Sequence, residues 1–215
     1  MKKIFLLWVL LSTNVFAENI STVTQAGDNH QIFVNQSGLS NEFVLFQVGE
    51  EQVTNVSQLD DLNVLEINQE GLNNTLNSIQ QGAFNQNNVN QNGSLNLANI
   101  TQSNQNNQLS IAQTGLTNSS EIQQIGINGL ISVLQNGEGN LQSLQQSGED
   151  NIAEAIQNGN FNTIETSQDG LGNRIKQEQE GENNFSTVEQ TGNNNEVIHT
   201  QIGRNLRFTI KQFGQ

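Results

Sequence analysis

Few of the side chains that could do chemistry are arranged for catalysis. The chain has two histidines, no cysteine and no tyrosine, and several of its 21 carboxylates fall as neighbours: Glu50-Glu51, Asp60-Asp61 and Glu149-Asp150. Paired carboxylates can do acid–base work. Here they sit in Gly- and Asn-rich segments that read as turns, with no accompanying nucleophile–base order or phosphate-cradling loop. They are expected to be solvated charges that limit sideways association. His30 and His199 lie far apart and form no metal-ligand set. The expectation is therefore a non-enzyme with no cofactor and no metal site. The group that recurs with regularity is the primary amide, a donor and an acceptor in one plane, which can bond to its own copies when stacked.

Glutamine occurs at Gln25, Gln36, Gln47, Gln58, Gln69, Gln80, Gln91, Gln102, Gln113, Gln124, Gln135, Gln146, Gln157, Gln168, Gln179, Gln190, Gln201 and Gln212, each 11 residues after the last. Glycine follows two residues later in 16 of these 18 units; the exceptions are Asp60 and Asn104, residue types that tolerate a left-handed backbone. Asparagine stands five residues after the glutamine at Asn41, Asn63, Asn74, Asn85, Asn96, Asn107, Asn118, Asn140, Asn151, Asn162, Asn173, Asn184 and Asn195. No insertion or deletion disturbs the register, so these Gln and Asn residues form unbroken columns.

The elements that position them follow from the spacing inside the unit. An 11-residue period can mean a right-handed helical supercoil or a strand plus a turn. Aliphatic residues stand two and four before the glutamine, as Leu45 and Phe43 do before Gln47 or Ile67 and Leu65 before Gln69. Asn, apolar, apolar, Gln and Gly thus recur with period two, which places them on one face of a strand. A glycine in every unit and abundant β-branched residues oppose a helix. The sequence predicts an all-β, two-sheet β-solenoid of cross-β type, with 9 rungs built from 18 tandem 11-residue strand–turn units. Each unit is about seven residues of strand and a Gly-x-x-Asn turn. At about 4.8 Å per rung the stack is on the order of 40 Å long. Its inward amides should bond to the copies above and below.

Departures from the pattern carry expectations of their own. The unit with Ala153 and Ala155 inside, and the unit with Ile175 and Gln177, should be weak. Asn87 thins the apolar interior of its rung. His30 replaces an Asn in its column, and His199 takes an inward aliphatic place where it should pack neutral. Outward apolar residues gather early, at Phe33, Val44, Phe46, Val53 and Val64. The stretch from Gly71 to Ser120 has neither acid nor base and should be the most self-associating part. No other outward position follows a rule, so no surface array is written there.

Residues 1–17 read as a secretory signal: Lys2 and Lys3, the apolar run from Ile4 to Leu11, then Val15 and Ala17 before a cleavage point. The run is too short to span a bilayer, so the expected product is residues 18–215, exported and without a membrane span. The net charge of −14 becomes two units more negative once both lysines are removed, which makes nucleic acid and anionic membrane poor partners. The remaining basic residues are Arg174, Lys176, Arg204, Arg207 and Lys211. Arg204, Arg207 and Lys211 mark a candidate attachment end, or one that meets the acidic early rungs (Asp28, Glu42, Glu50, Glu51) of a following subunit.

The motif Gln-x-Gly-x-x-Asn-x-apolar-x-x-x-Gln, repeated behind a signal segment, resembles the curlin repeat of bacterial curli subunits. The resemblance implies an extracellular functional-amyloid subunit that self-assembles into fibres for cell adhesion and biofilm matrix, with the Gln and Asn columns given above as the self-assembly residues. It implies as partners the chain itself, a second curlin subunit, the curli export pore and periplasmic accessory proteins. A minor, surface-attached nucleator is the alternative within the family; a soluble secreted β-solenoid that binds a ligand is the alternative outside it. Curlins usually carry a non-repeat leader, whereas this sequence enters the repeat directly after the signal segment.

Overall fold

The computed structural model describes residues 7–11 and 18–214. Among these, the strands are Leu7–Leu11 (β1), Ile20–Asp28 (β2), Gln31–Ser37 (β3), Glu42–Glu50 (β4), Val53–Leu59 (β5), Val64–Leu72 (β6), Thr75–Ala83 (β7), Gln86–Ser94 (β8), Leu97–Gln105 (β9) and Gln108–Leu116 (β10). They continue as Ser119–Ile127 (β11), Leu130–Glu138 (β12), Leu141–Glu149 (β13), Ile152–Asn160 (β14), Thr163–Leu171 (β15), Arg174–Glu182 (β16), Phe185–Asn193 (β17), Glu196–Arg204 (β18) and Arg207–Phe213 (β19). The expected signal segment lies outside the described residues except for β1, which pairs with β3 from Leu7↔Ile32 to Leu11↔Gln36.

Even-numbered strands form one sheet and odd-numbered strands the other, all in sequential order. Every pairing of repeat strands is parallel and joins residues 22 apart, as in Gln69↔Gln91 and Gln80↔Gln102. This is the nine-rung, two-sheet β-solenoid expected. Period two explains it: within each strand alternate residues turn inward, and because the unit length is odd, a fixed reversal after each unit keeps the same set inside.

The interior is thin and mixed. Phe43, Leu45, Leu65, Ile67, Leu76 and Ile131 are fully enclosed, each stabilising the fold by about 1.5–3 kcal/mol. One apolar cluster runs continuously from Ile32 to Ala153. A second holds Ile175, Val188 and Val197, with Phe208 and Ile210 against it. A polar bridge lies between them: Thr166 donates to Gln177 Oε1, and Gln177 Nε2 donates to Ser186 Oγ at 2.7 Å. Gln177 is thus partnered in a poorly apolar rung, beside the small Ala153 and Ala155. Asn87 is buried with an unpartnered Oδ1, as is Gln142 with its Oε1.

Two details differ from the sequence reading. Most strands are nine residues long, running through the glycine, and the turn shrinks to two residues such as Thr117-Asn118 between β10 and β11. Glycine stays in the ladder because the rungs approach closely there. At Gly115 φ is +112°, and a Cβ would lie 2.1 Å from the carbonyl oxygen of Gly137 in the next rung. The left-handed turn residue is instead the one before the Asn, with φ of +54° at Asn73, +58° at Leu95 and +53° at Thr117. The exposed apolar residues also extend far beyond the early cluster: Phe33 and Phe46 face out as expected, but so do Ile79, Leu130, Ile152 and Ile198.

Two substitutions test this backbone in opposite directions. Gly115→Ala should lower unfolding free energy by about 3 kcal/mol or more through strain and rung collision. Leu95→Asn should raise it by about 1 kcal/mol by relieving a left-handed leucine. Urea titration followed by circular dichroism reads both; a shift in the same direction would contradict the geometry.

Candidate self-assembly site

The structure brings the repeated glutamines together in two axial ladders. In one, each Nε2 donates to the next Oε1 from Gln25 through Gln47, Gln69, Gln91, Gln113, Gln135, Gln157 and Gln179 to Gln201, at 2.7–3.1 Å. In the other the series runs from Gln36 through Gln58, Gln80, Gln102, Gln124, Gln146, Gln168 and Gln190 to Gln212, at 2.8–3.2 Å. All are buried except Gln25 and Gln212, which are half-buried in the end rungs. Burying so many amides without partners would cost about 1–3 kcal/mol per lost bond, so the ladder is what makes this interior tolerable.

Every donor points toward the C-terminal rung and every acceptor toward the N-terminal one. The ladders therefore have a direction. The second hydrogen of many of these amides goes to backbone: Gln80 Nε2 also reaches Val64 O at 3.0 Å.

The thirteen asparagines are all buried too, but they do not simply copy the glutamines. The Oδ1 of Asn63 accepts the backbone N–H of Asn85 at 3.2 Å, and Asn118 Oδ1 that of Asn140 at 3.1 Å. Their Nδ2 groups donate to turn carbonyls, as Asn63 does to Leu59 O (2.8 Å) and Gly82 O (2.7 Å). Each Asn clamps its own turn to the next rung. Side-chain contacts from Asn to Asn exist as well, such as Asn96 Nδ2 to Asn74 Oδ1 at 3.1 Å.

Position, more than residue type, defines this role. His30 Nε2 lies 3.3 Å from Ala26 O, and Gln52 Nε2 donates to Val48 O at 2.6 Å, the contact that an asparagine makes with the carbonyl four residues back. Sequence reasoning missed Gln52, although its place five after Gln47 was the available signal. It also missed the inward hydroxyls that join the ladders: Ser21 Oγ donates to Gln36 Oε1 (2.6 Å), Thr54 Oγ1 to Gln69 Oε1 (2.7 Å) and Ser120 Oγ to Gln135 Oε1 (2.9 Å). Gly129 interrupts its Asn column because it has no side chain to pass the contact on, and a Cβ there would meet Gln146 Oε1 at 2.5 Å.

The basic residues pair by column. Lys176 meets Glu154 (3.2 Å), Arg174 meets Glu196 (3.9 Å), Arg204 meets Glu182 (3.4 Å), Lys211 meets Glu189, and Arg207 lies 5.4 Å from the centre of the Phe185 ring. Each partner is the residue 22 away. The pairs are largely solvent-exposed, so each contributes only about 0–1 kcal/mol. His199 faces inward opposite Gln177 and stacks on Phe208 with centroids 3.5 Å apart. Burial lowers its pKa below the ordinary 6.5, against a smaller opposing effect of its hydrogen bond with the Gln201 side chain.

A lowered histidine pKa means that the folded state prefers the neutral ring. The stability it contributes is present above 6.5 and is lost as pH falls from there through the lowered folded value. Amide protection in β18 and β19 should fall as the pH drops from about 7 to about 5, and His199→Val should remove most of that change. The ladder is tested by a neighbouring pair in the sequence. Gln80→Ala removes the ladder acceptor of Gln58 and the ladder donor of Gln102, and should cost about 2–4 kcal/mol, whereas the outward Gln81→Ala should stay within about 0.5 kcal/mol. Equal effects on urea stability would refute the ladder's role.

Comparison with known proteins adds one finding to this geometry. No curated protein matches the chain. Residues 181–214, which carry the ladder glutamines Gln190, Gln201 and Gln212, match the family described as Curlin associated repeat.

Proposed function

We propose that this chain is a structural subunit of an extracellular curli-type amyloid fibre that grows by stacking rung on rung and serves adhesion and biofilm matrix. The observation that carries the reading is that both amide ladders run the length of the repeat stack and that three of their four ends, at Gln25, Gln201 and Gln212, lie on open strands, the fourth, at Gln36, being covered by β1 of the expected signal segment. Among the described residues, β2, β18 and β19 each have a neighbour on one side only. Such edges offer unpaired backbone groups as a template for another chain. Fibre formation repeats outside the molecule the contacts that already hold its rungs together. The curlin-repeat match at 181–214 points the same way. In this reading residues 1–17 direct export and are removed.

A nucleator role rests on one observation, the concentration of Arg204, Arg207 and Lys211 in the last rung. Against it, the ion pairs Arg204–Glu182 and Lys211–Glu189 engage two of these residues within the repeat stack. A soluble ligand-binding solenoid would present an ordered outer array. The outer columns here are irregular apart from short runs, such as Asn55 to Asn77 to Asn99, bonded at 2.8 Å each, and Asn106 to Asn128 to Asp150 at 2.7 and 3.0 Å.

Purified residues 18–215, held at neutral pH, should form thioflavin-T-positive fibres with a meridional reflection at about 4.7–4.8 Å. A persistent monomer without that reflection would sink the proposal. Seeding of a separate curlin at substoichiometric amounts without self-elongation would move the assignment to the nucleator.

A further inference from the structure

The ends of the solenoid differ in charge, and the column rule says which residues of one end would meet which of the other. The strand pairings run Asp28↔Glu50↔Leu72↔Ser94↔Leu116↔Glu138↔Asn160↔Glu182↔Arg204 along one turn column. Arg204 ends that column on the C-terminal side and Asp28 begins it. The same pairings place Gln201 in the column of Gln25, and Gln212 in the column of Gln36.

Resting on the fibre reading above, we propose that the partner for the C-terminal end is the N-terminal end of a second copy, docked in continuous register, with Arg204 beside the second copy's Asp28 as the contact that selects this orientation. Two independent observations carry it. The first is charge. Each of the five basic residues of the described chain already sits beside an acid or an aromatic ring in its own column one rung away. Arg204 holds Glu182 through Nε at 3.4 Å and is 77% exposed, which leaves the rest of the guanidinium fork for a second carboxylate. Beyond Asp28 the second rung adds Glu42, Glu50, Glu51, Asp60 and Asp61.

The second observation is ladder direction. Gln201 and Gln212 present donors, while Gln25 and Gln36 present acceptors. Head-to-tail docking continues both ladders. Joining two C-terminal ends would set donor against donor and Arg204 and Lys211 against their own kind; joining two N-terminal ends would set acceptor against acceptor and carboxylate against carboxylate. The fibre is therefore polar, and its growing ends are unlike. Before residues 1–17 are removed, β1 lies along Ile32–Gln36, the edge that β19 of the neighbour would take. Residues 18–215 keep all the repeat strands and free that edge.

The experiment uses residues 18–215 as wild type, Arg204→Glu and Asp28→Lys, each alone and as an equimolar mixture of the two variants. Elongation from sheared wild-type seeds is followed by thioflavin T at low salt. Each variant alone places like charges at every junction and should elongate about three- to tenfold more slowly, an effect that shrinks in about 1 M salt. In the mixture every junction can pair opposite charges, so alternating copolymer should return to near the wild-type rate. Loss of the Glu182 contact in Arg204→Glu would not be rescued by mixing, which separates docking from folding. Wild-type rates in both single variants, or a mixture no faster than its components, would overturn the junction while leaving fibre formation standing. Absence of fibres from wild type would overturn the fibre reading and the junction with it.

Discussion

A buried primary amide must place two hydrogens and an oxygen, and the ladders meet most of that demand with the same amide one rung away. Everything else in the molecule is compatible with that repetition or is excluded by it. A single inserted residue would turn a strand's inward set outward and leave the amides above and below unpaired in the interior. This is why all eighteen units keep one length. The turns are short for the same reason: each must reverse the chain and deliver the next glutamine to its column, and the Asn in the turn fixes the height of that delivery by accepting the next rung's N–H.

Within this frame the interior tolerates variety that a compact globular core would not. Serine and threonine enter because the ladder offers them partners, as with Thr54 and Ser120. Alanine enters at 153 and 155 because the neighbouring rungs hold the backbone in place. The apolar interior nevertheless divides into two clusters around Thr166, Gln177 and Ser186. Backbone pairing and the glutamine ladders cross that division unbroken, so continuity of the stack rests on hydrogen bonds where hydrocarbon is sparse.

Repeat solenoids that remain soluble monomers end in capping repeats with a polar outer face. Here the end rungs keep the inner pattern: Val23 and Gln25 at one end, Phe208, Ile210 and Gln212 at the other, all partly exposed. In the fibre proposed above, the interactions that fold the chain are the ones that join chains, and charge acts on that contact. Lys176, Arg204 and Lys211 each sit in a column where an acid precedes them by one rung.

The order and spacing of Gln, Gly, Asn and apolar residues determined the strand period, the inward set, the two sheets and the rung count. In the doubled glutamine at 80 and 81 the register alone identifies Gln80 as inward, and Gln80 is fully buried while Gln81 is exposed. This was legible because facing in a strand depends only on parity along the chain. What lay between rungs was not legible. The one-way polarity of the ladders, the clamping of backbone by Asn, the glycine required by a carbonyl 2.1 Å from where its Cβ would be, and the pairing of Arg204 with Glu182 all depend on distances between residues 22 apart. Periodicity names the column a residue belongs to, but only the stacked backbone decides which atoms in that column face each other.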